Sequence, residues 1–77
     1  MRKFSKGDKV WLIDEAEFER EPTLRTIERA WSWRVKIKGE ASSRSPDDVY
    51  PESDKDMFLR AREVRMGYWR ERCAKEA

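Results

Sequence analysis

The chain has 77 residues, with 18 Lys and Arg against 16 Asp and Glu, no His and a single Cys. That length holds one domain, 1–77, and one Cys excludes an intramolecular disulfide or a Cys-rich zinc site. The longest apolar run, Val10-Trp11-Leu12-Ile13, cannot cross a bilayer, and no apolar stretch follows the basic opening MRKFSKGD, so neither a membrane span nor a secretory signal is expected.

Charged residues make up 44% of the chain, and Leu, Ile, Val and Phe together number only 13. Such a composition borders on disorder. A net charge of only +2 and nine aromatics, four of them Trp, argue instead for a thin, aromatic-rich core. The small net charge hides signed blocks: +3 over residues 1–12, −4 over 13–21, +4 over 22–39, −3 over 40–53 and +2 over 54–77. Blocks of this kind mark candidate binding faces.

Lys6-Gly7-Asp8 reads as a turn, followed by a strand over Lys9–Asp14. The two-residue period puts Val10 and Leu12 on one face and Trp11 and Ile13 on the other, so the strand is expected to be covered on both sides. Residues 14–22 form an acidic loop with Phe18 as its one large apolar anchor, ended by Pro22. Leu24–Ala30 is a second, weakly patterned strand, and Trp31-Ser32 sits at a hairpin turn. Trp33–Lys38 alternates most clearly, with Trp33, Val35 and Ile37 predicted inward and Arg34, Lys36 and Lys38 outward. Gly39 closes it. Glu40–Pro46 is a loop or an edge strand, and Asp48-Val49-Tyr50 is a short last strand stopped by Pro51.

Ser53-Asp54-Lys55-Asp56 carries the marks of a helix start: Ser53 as N-cap, Asp56 as capping-box partner, and two acids at the positive end of the dipole. The helix is predicted over about 54–75, with Gly67 as a point of bending or early termination. Met57, Ala61, Val64 and Tyr68 form one apolar stripe, predicted to pack on the strands with Val10, Leu12, Trp33, Val35 and Ile37. Leu59, Met66 and Cys73 recur every seven residues on the opposite side, with Trp69 beside them; in the alternative, Phe58 and Trp69 flank one wide core stripe and the others are incidental exposed residues. The expected class is therefore α+β: four to five short strands in a barrel-like or strongly bent antiparallel sheet (4–51), capped by a C-terminal helix (53–76).

The segments F-S-K-G-D-K-V-W-L-I at 4–13, W-R-V-K-I-K-G at 33–39 and D-V-Y-P at 48–51, taken together, resemble the small SH3-like barrels. The chain is similar in particular to short phage and bacterial proteins that open with a Gly-Asp-x-Val strand and close with a charged helix. Chromo-, Tudor- and KOW-type modules share that architecture. The acidic segment 14–21 stands where KOW modules carry G-x-x-G-x-V. The resemblance implies a barrel fold and a binding role, such as a phage-encoded modulator of a host complex.

No catalytic residue emerges. His, the commonest general base, is absent, Cys73 has no His to activate it, and Asp47-Asp48 before a strand is turn chemistry. There is no phosphate loop and no metal-ligand spacing, so a non-enzymatic cytoplasmic module without cofactor or metal is expected. Two binding surfaces compete. The helix carries five Arg against two Lys, and a protein or nucleoprotein interface is predicted around Trp69, Met66, Arg62, Leu59 and Arg65, with a homodimer second. The alternative is a nucleic-acid surface formed by Arg25, Arg29, Arg34, Lys36 and Lys38, with Trp31 stacking on a base.

Overall fold

Gly7, at φ 91°, turns the chain into strand β1 (Lys9–Leu12) in a left-handed conformation that only Gly adopts readily. Asp8 braces that turn, its carboxylate accepting from the Ser5 amide at 2.9 Å. The computed structural model describes residues 4–76; Arg2 and Lys3 of the first basic block lie outside the described residues. Four further strands follow: β2 (Leu24–Ala30), β3 (Val35–Ile37), β4 (Ser43–Arg44) and β5 (Val49–Pro51). They pair antiparallel in the order β4-β3-β2-β1-β5, and helix α1 (Lys55–Glu76) closes the chain. The two edge strands do not pair, so of the two expected shapes the open sheet is found, not a closed barrel.

Strand β2 belongs to both halves of the sheet. Its first residues pair with β1 in the register Lys9↔Thr26, Val10↔Arg25, Trp11↔Leu24, and its later ones with β3. A register irregularity between Ile27 and Arg29 separates the two halves. An extra residue there bends the strand and increases its twist. One face of the bent sheet gathers Val10, Leu12, Ile27, Val35, Ile37 and Val49, all buried, with Phe4 and Ala30 packed against them. The other face forms a second core of Trp11, Ile13, Phe18, Tyr50, Phe58 and Met66, flanked by Ala61 and Trp69. The expectation that β1 is covered on both sides holds: Val10 and Leu12 lie in the first core, Trp11 and Ile13 in the second.

The helix stands on the second face, turned by about 100° from the stripe expected, with Ala61 common to both. Met57, Val64 and Tyr68 are 56%, 61% and 67% exposed, while Phe58 and Met66 are buried and Trp69 is half-buried. The physical reason lies in two arginines. Phe58 and Trp69 are only about 20° apart around the axis, and Arg62 and Arg65 fall beside them. The core-facing stripe thus looks polar in sequence, although its guanidinium groups reach past the core to partners on the rim. Trp11 stacks on Phe58 with ring centroids 5.5 Å apart, and its indole nitrogen donates to the Glu52 carbonyl at 3.1 Å.

Two smaller corrections concern ends. The helix is preceded by a 3-10 turn over Glu52–Asp54 that begins directly after Pro51 without a side-chain cap, so Ser53 lies inside the turn and is not the N-cap. Gly67 does not end α1, which continues to Glu76. A methyl group at Gly67 would meet nothing within 4 Å.

Two stability outcomes follow from this packing. Phe58→Ala should lower unfolding free energy by about 3–5 kcal/mol, and Val35→Ala or Ile37→Ala by roughly 1–3 kcal/mol, while Val64→Ala stays within about 0.5 kcal/mol. Gly67→Ala should raise stability by about 0.5–1 kcal/mol, since an exposed helical position gains a better helix former without a clash. Urea denaturation followed by tryptophan fluorescence measures both. Loss of stability in Val64→Ala equal to that in Phe58→Ala would contradict the observed helix face.

Candidate functional site

The helix surface predicted as a protein interface is largely occupied within the molecule. Met66 is buried in the second core, and Trp69 packs edge-on against Phe18 at 5.7 Å. Arg62 donates to three backbone carbonyls, those of Glu17 at 2.9 Å, Phe18 at 3.3 Å and Arg20 at 2.7 Å. These carbonyls end the 3-10 turn Glu15–Glu17 and its continuation, so Arg62 caps the acidic loop and fixes it to the helix. Arg65 pairs with Asp48 at 2.9 Å. Leu59 keeps 39% exposure. The predicted cluster around Trp69, Met66 and Arg62 therefore fastens the loop rather than presenting a free surface.

The acidic loop is itself partly neutralised. Asp14 accepts from the Ala16 amide and pairs with Arg44 at 3.2 Å, and Glu17 pairs with Arg25. Arg44 also holds Glu40 at 3.0 Å, linking edge strand β4 to the end of β1. The hydrogen bonds to Glu40, and then the nearby carboxylates, hold the Arg44 guanidinium above its ordinary value.

The nucleic-acid set fares differently. Arg25 is drawn away to Glu17, but Arg29, Trp31, Arg34, Lys36 and Lys38 come together on the β2–β3 hairpin. Arg29 lies directly opposite Lys36 in the register, on the part of the sheet that does not carry α1. Lys36 pairs with Glu28 at 2.7 Å. The Glu28 carboxyl is held below its ordinary value, first by the Lys36 hydrogen bond and charge and then by the charges of Lys38 and Lys6. Glu28 thus lies within the field of three lysines. Arg34 donates to the Ser43 hydroxyl at 2.9 Å and carbonyl at 2.6 Å, which fastens β4 to the hairpin without neutralising its charge.

Trp33 departs from its predicted place in the core and is 68% exposed. Strand β3 begins only at Val35, and the Trp31 amide donates to the Arg34 carbonyl at 2.8 Å, so Ser32 and Trp33 form the hairpin tip. Alternation cannot be extrapolated through a turn, which is why the sequence period misassigned this ring. At the tip Trp33 stacks on Trp31 with centroids 6.1 Å apart and planes 27° from parallel, and the Arg29 guanidinium lies 4.8 Å from the Trp31 ring centre. The result is a layered arrangement of guanidinium, indole and indole, ending in a ring open to solvent. Lys6 joins the surface as a residue sequence reasoning missed. Its turn lies beside β2 because the Gly7 amide donates to the Ile27 carbonyl at 2.8 Å. Only the cross-chain pairing reveals that proximity.

Among the described residues no group of three His, Cys, Asp or Glu side chains is placed to hold a metal ion, and no helix is long and apolar enough to cross a membrane. Cys73 is a free, exposed thiol. Comparison of the chain with protein-family models, with curated proteins and with solved structures found no match.

The loop-fastening role of Arg62 is testable apart from its packing. Arg62→Met keeps the apolar stem and removes the donors, and should cost about 1–3 kcal/mol in urea denaturation. Amide exchange should accelerate across residues 15–21, while the β2–β3 amides keep their protection. Unchanged exchange in the loop would show that Phe18 alone holds it.

Proposed function

We propose that this chain is a non-enzymatic binding module whose hairpin β2–β3 takes hold of single-stranded nucleic acid. The observation that supports it best is the Trp31–Trp33 stack at the hairpin tip, with Trp33 open to solvent and a surplus of cations running along the strands behind it. An exposed indole offers a base a large flat face at little conformational cost. Base–aromatic stacking contributes about 1–3 kcal/mol per base and tolerates any sequence, while lysine and arginine follow the phosphates. A duplex keeps its bases stacked on one another and has less use for such a tip. This favours the nucleic-acid reading over the helix-borne protein interface, whose anchor Trp69 is engaged with Phe18. A nucleoprotein complex with exposed single-stranded segments meets the same description, and so does the modulator role implied by the resemblance to SH3-like proteins.

Fluorescence anisotropy with labelled oligothymidylate, single-stranded RNA and duplex DNA at about 50 mM salt tests this reading. Both single strands should bind more tightly than the duplex. Trp33→Ala should weaken them roughly ten-fold with no loss of stability, because the ring makes no core contact. Lys36→Gln should reduce the salt dependence by about 0.7 in logarithmic slope. Glu28→Gln, which removes the carboxylate paired with Lys36, should tighten binding. No binding of any oligonucleotide by the unaltered protein would overturn the proposal.

A further inference from the structure

The register of the sheet places a second group of cations at the far end of the hairpin from its tip. Ile27 and Ile37 face each other across β2 and β3 and are buried in the first core, so Thr26 and Lys38, one position further from the tip, share the opposite face. The Lys38 amide donates to the Thr26 carbonyl at 2.8 Å, which sets the two residues side by side. On the other flank Lys9 of β1 lies opposite Thr26, and its Nζ donates to the Thr26 Oγ1 at 2.7 Å. Lys9, Thr26 and Lys38 therefore form one row across β1, β2 and the end of β3. It lies on the same face as the Arg29–Lys36 pair.

We propose that this row is the seat of a backbone phosphate of the single strand whose base stacks on Trp33, an inference that rests on the hairpin reading above. The hydrogen bonding supports it. The Thr26 oxygen accepts from Lys9, which leaves its own proton to donate outward, and the Lys9 ammonium keeps two further donors. Lys38 adds an ammonium of its own. Both lysines are exposed, and among the described residues neither forms an ion pair, whereas Lys36 is engaged by Glu28. A phosphate oxygen accepts several such donors at once, and these charge-assisted bonds are the strong ones.

Spacing sets the length of strand that fills both sites. Trp31 bonds to Arg34 across the tip, and Lys38 follows Arg34 by four positions along the hairpin. At about 3.3 Å per residue that is roughly 13 Å. A strand with the helical rise of about 3.4 Å per nucleotide covers this distance in about four nucleotides, and an extended strand in fewer. A base on Trp33 and a phosphate between Lys9 and Lys38 thus belong to one short segment, which passes Arg29 and Lys36 on the way. A dinucleotide held at the tip ends short of the row.

Fluorescence anisotropy of the full chain with a labelled oligothymidylate of about eight nucleotides, followed across salt, measures each group. Lys9→Gln and, separately, Lys38→Gln should weaken binding about five-fold and lower the logarithmic salt slope by about 0.7. Thr26→Val keeps a β-branched side chain and removes only the hydroxyl, so it should weaken binding about three-fold with an unchanged slope. Arg72→Gln removes the same charge from the exposed end of the helix and should leave both readings unchanged. All four variants should keep the circular dichroism of the unaltered protein. With labelled thymidine dinucleotide, Lys9→Gln and Thr26→Val should bind as the unaltered protein does. A loss confined to Trp33→Ala, with the row variants binding normally, would overturn this inference and leave the hairpin reading standing. A loss confined to the row variants would overturn the stacking tip instead and leave the phosphate seat. An equal loss in Arg72→Gln would show that net charge alone is felt, and an equal loss with the dinucleotide would show that the row acts through the tip; either overturns the inference.

Discussion

Four consecutive side chains of the first strand and its extension carry the whole fold. Val10 and Leu12 enter one core, Trp11 and Ile13 the other, and the strand has no face left for solvent. An ordinary antiparallel sheet keeps one wet face and one dry one. Here the central strand lies between two separate hydrophobic layers. The first layer is aliphatic and closes by the bending of β2. The second is aromatic and closes by the docking of α1. Trp11 joins them, because its ring stacks on Phe58 while its backbone pairs with both β2 and β5. Its indole N–H also fixes the Glu52 carbonyl, so the strand determines where the helix begins.

Cations make up for the thinness of that core. Arg62 gathers the carbonyls of the acidic loop, Arg44 links β4 to the end of β1, and Arg34 fastens the edge strand through Ser43. Each of these guanidinium groups satisfies backbone or carboxylate acceptors at the rim of the apolar layers, where several donors on one planar group are of most use. Part of the alternating charge along the chain is thereby absorbed: in the −4 block at 13–21, Asp14 meets Arg44 and Glu17 meets Arg25. Where absorption is incomplete, charge accumulates. Lys36 pairs with Glu28, and the charges of Lys38 and Lys6 act on the same carboxyl, which marks the β2–β3 face as basic.

How much of this was legible in the sequence depends on the kind of signal. The two-residue alternation of Val10 to Ile13 specified a strand with two dry faces, and the limits of β2 matched its apolar and turn boundaries. The Gly7 turn and Phe18 as loop anchor were equally readable, because each rests on a local property of one residue. The helix face was legible only in part, through Ala61 and the alternative that Phe58 and Trp69 flank the core. A stripe containing Phe58 and Trp69 also contains Arg62 and Arg65, and only the three-dimensional position of carbonyls from residues 17 to 20 explains why arginines belong there. Trp33 illustrates a second limit, for an alternation that runs into a turn loses its phase, and a ring assigned to the core emerges at the tip. Lys6 illustrates a third, since pairing between distant segments leaves no mark on either one.

The two surfaces left over by this fold are placed by the same geometry. Helix α1 packs on β1 and β5, and the tryptophan tip of the β2–β3 hairpin belongs to neither core. The helix in turn is wider than its seat, so one flank faces the sheet and another faces water.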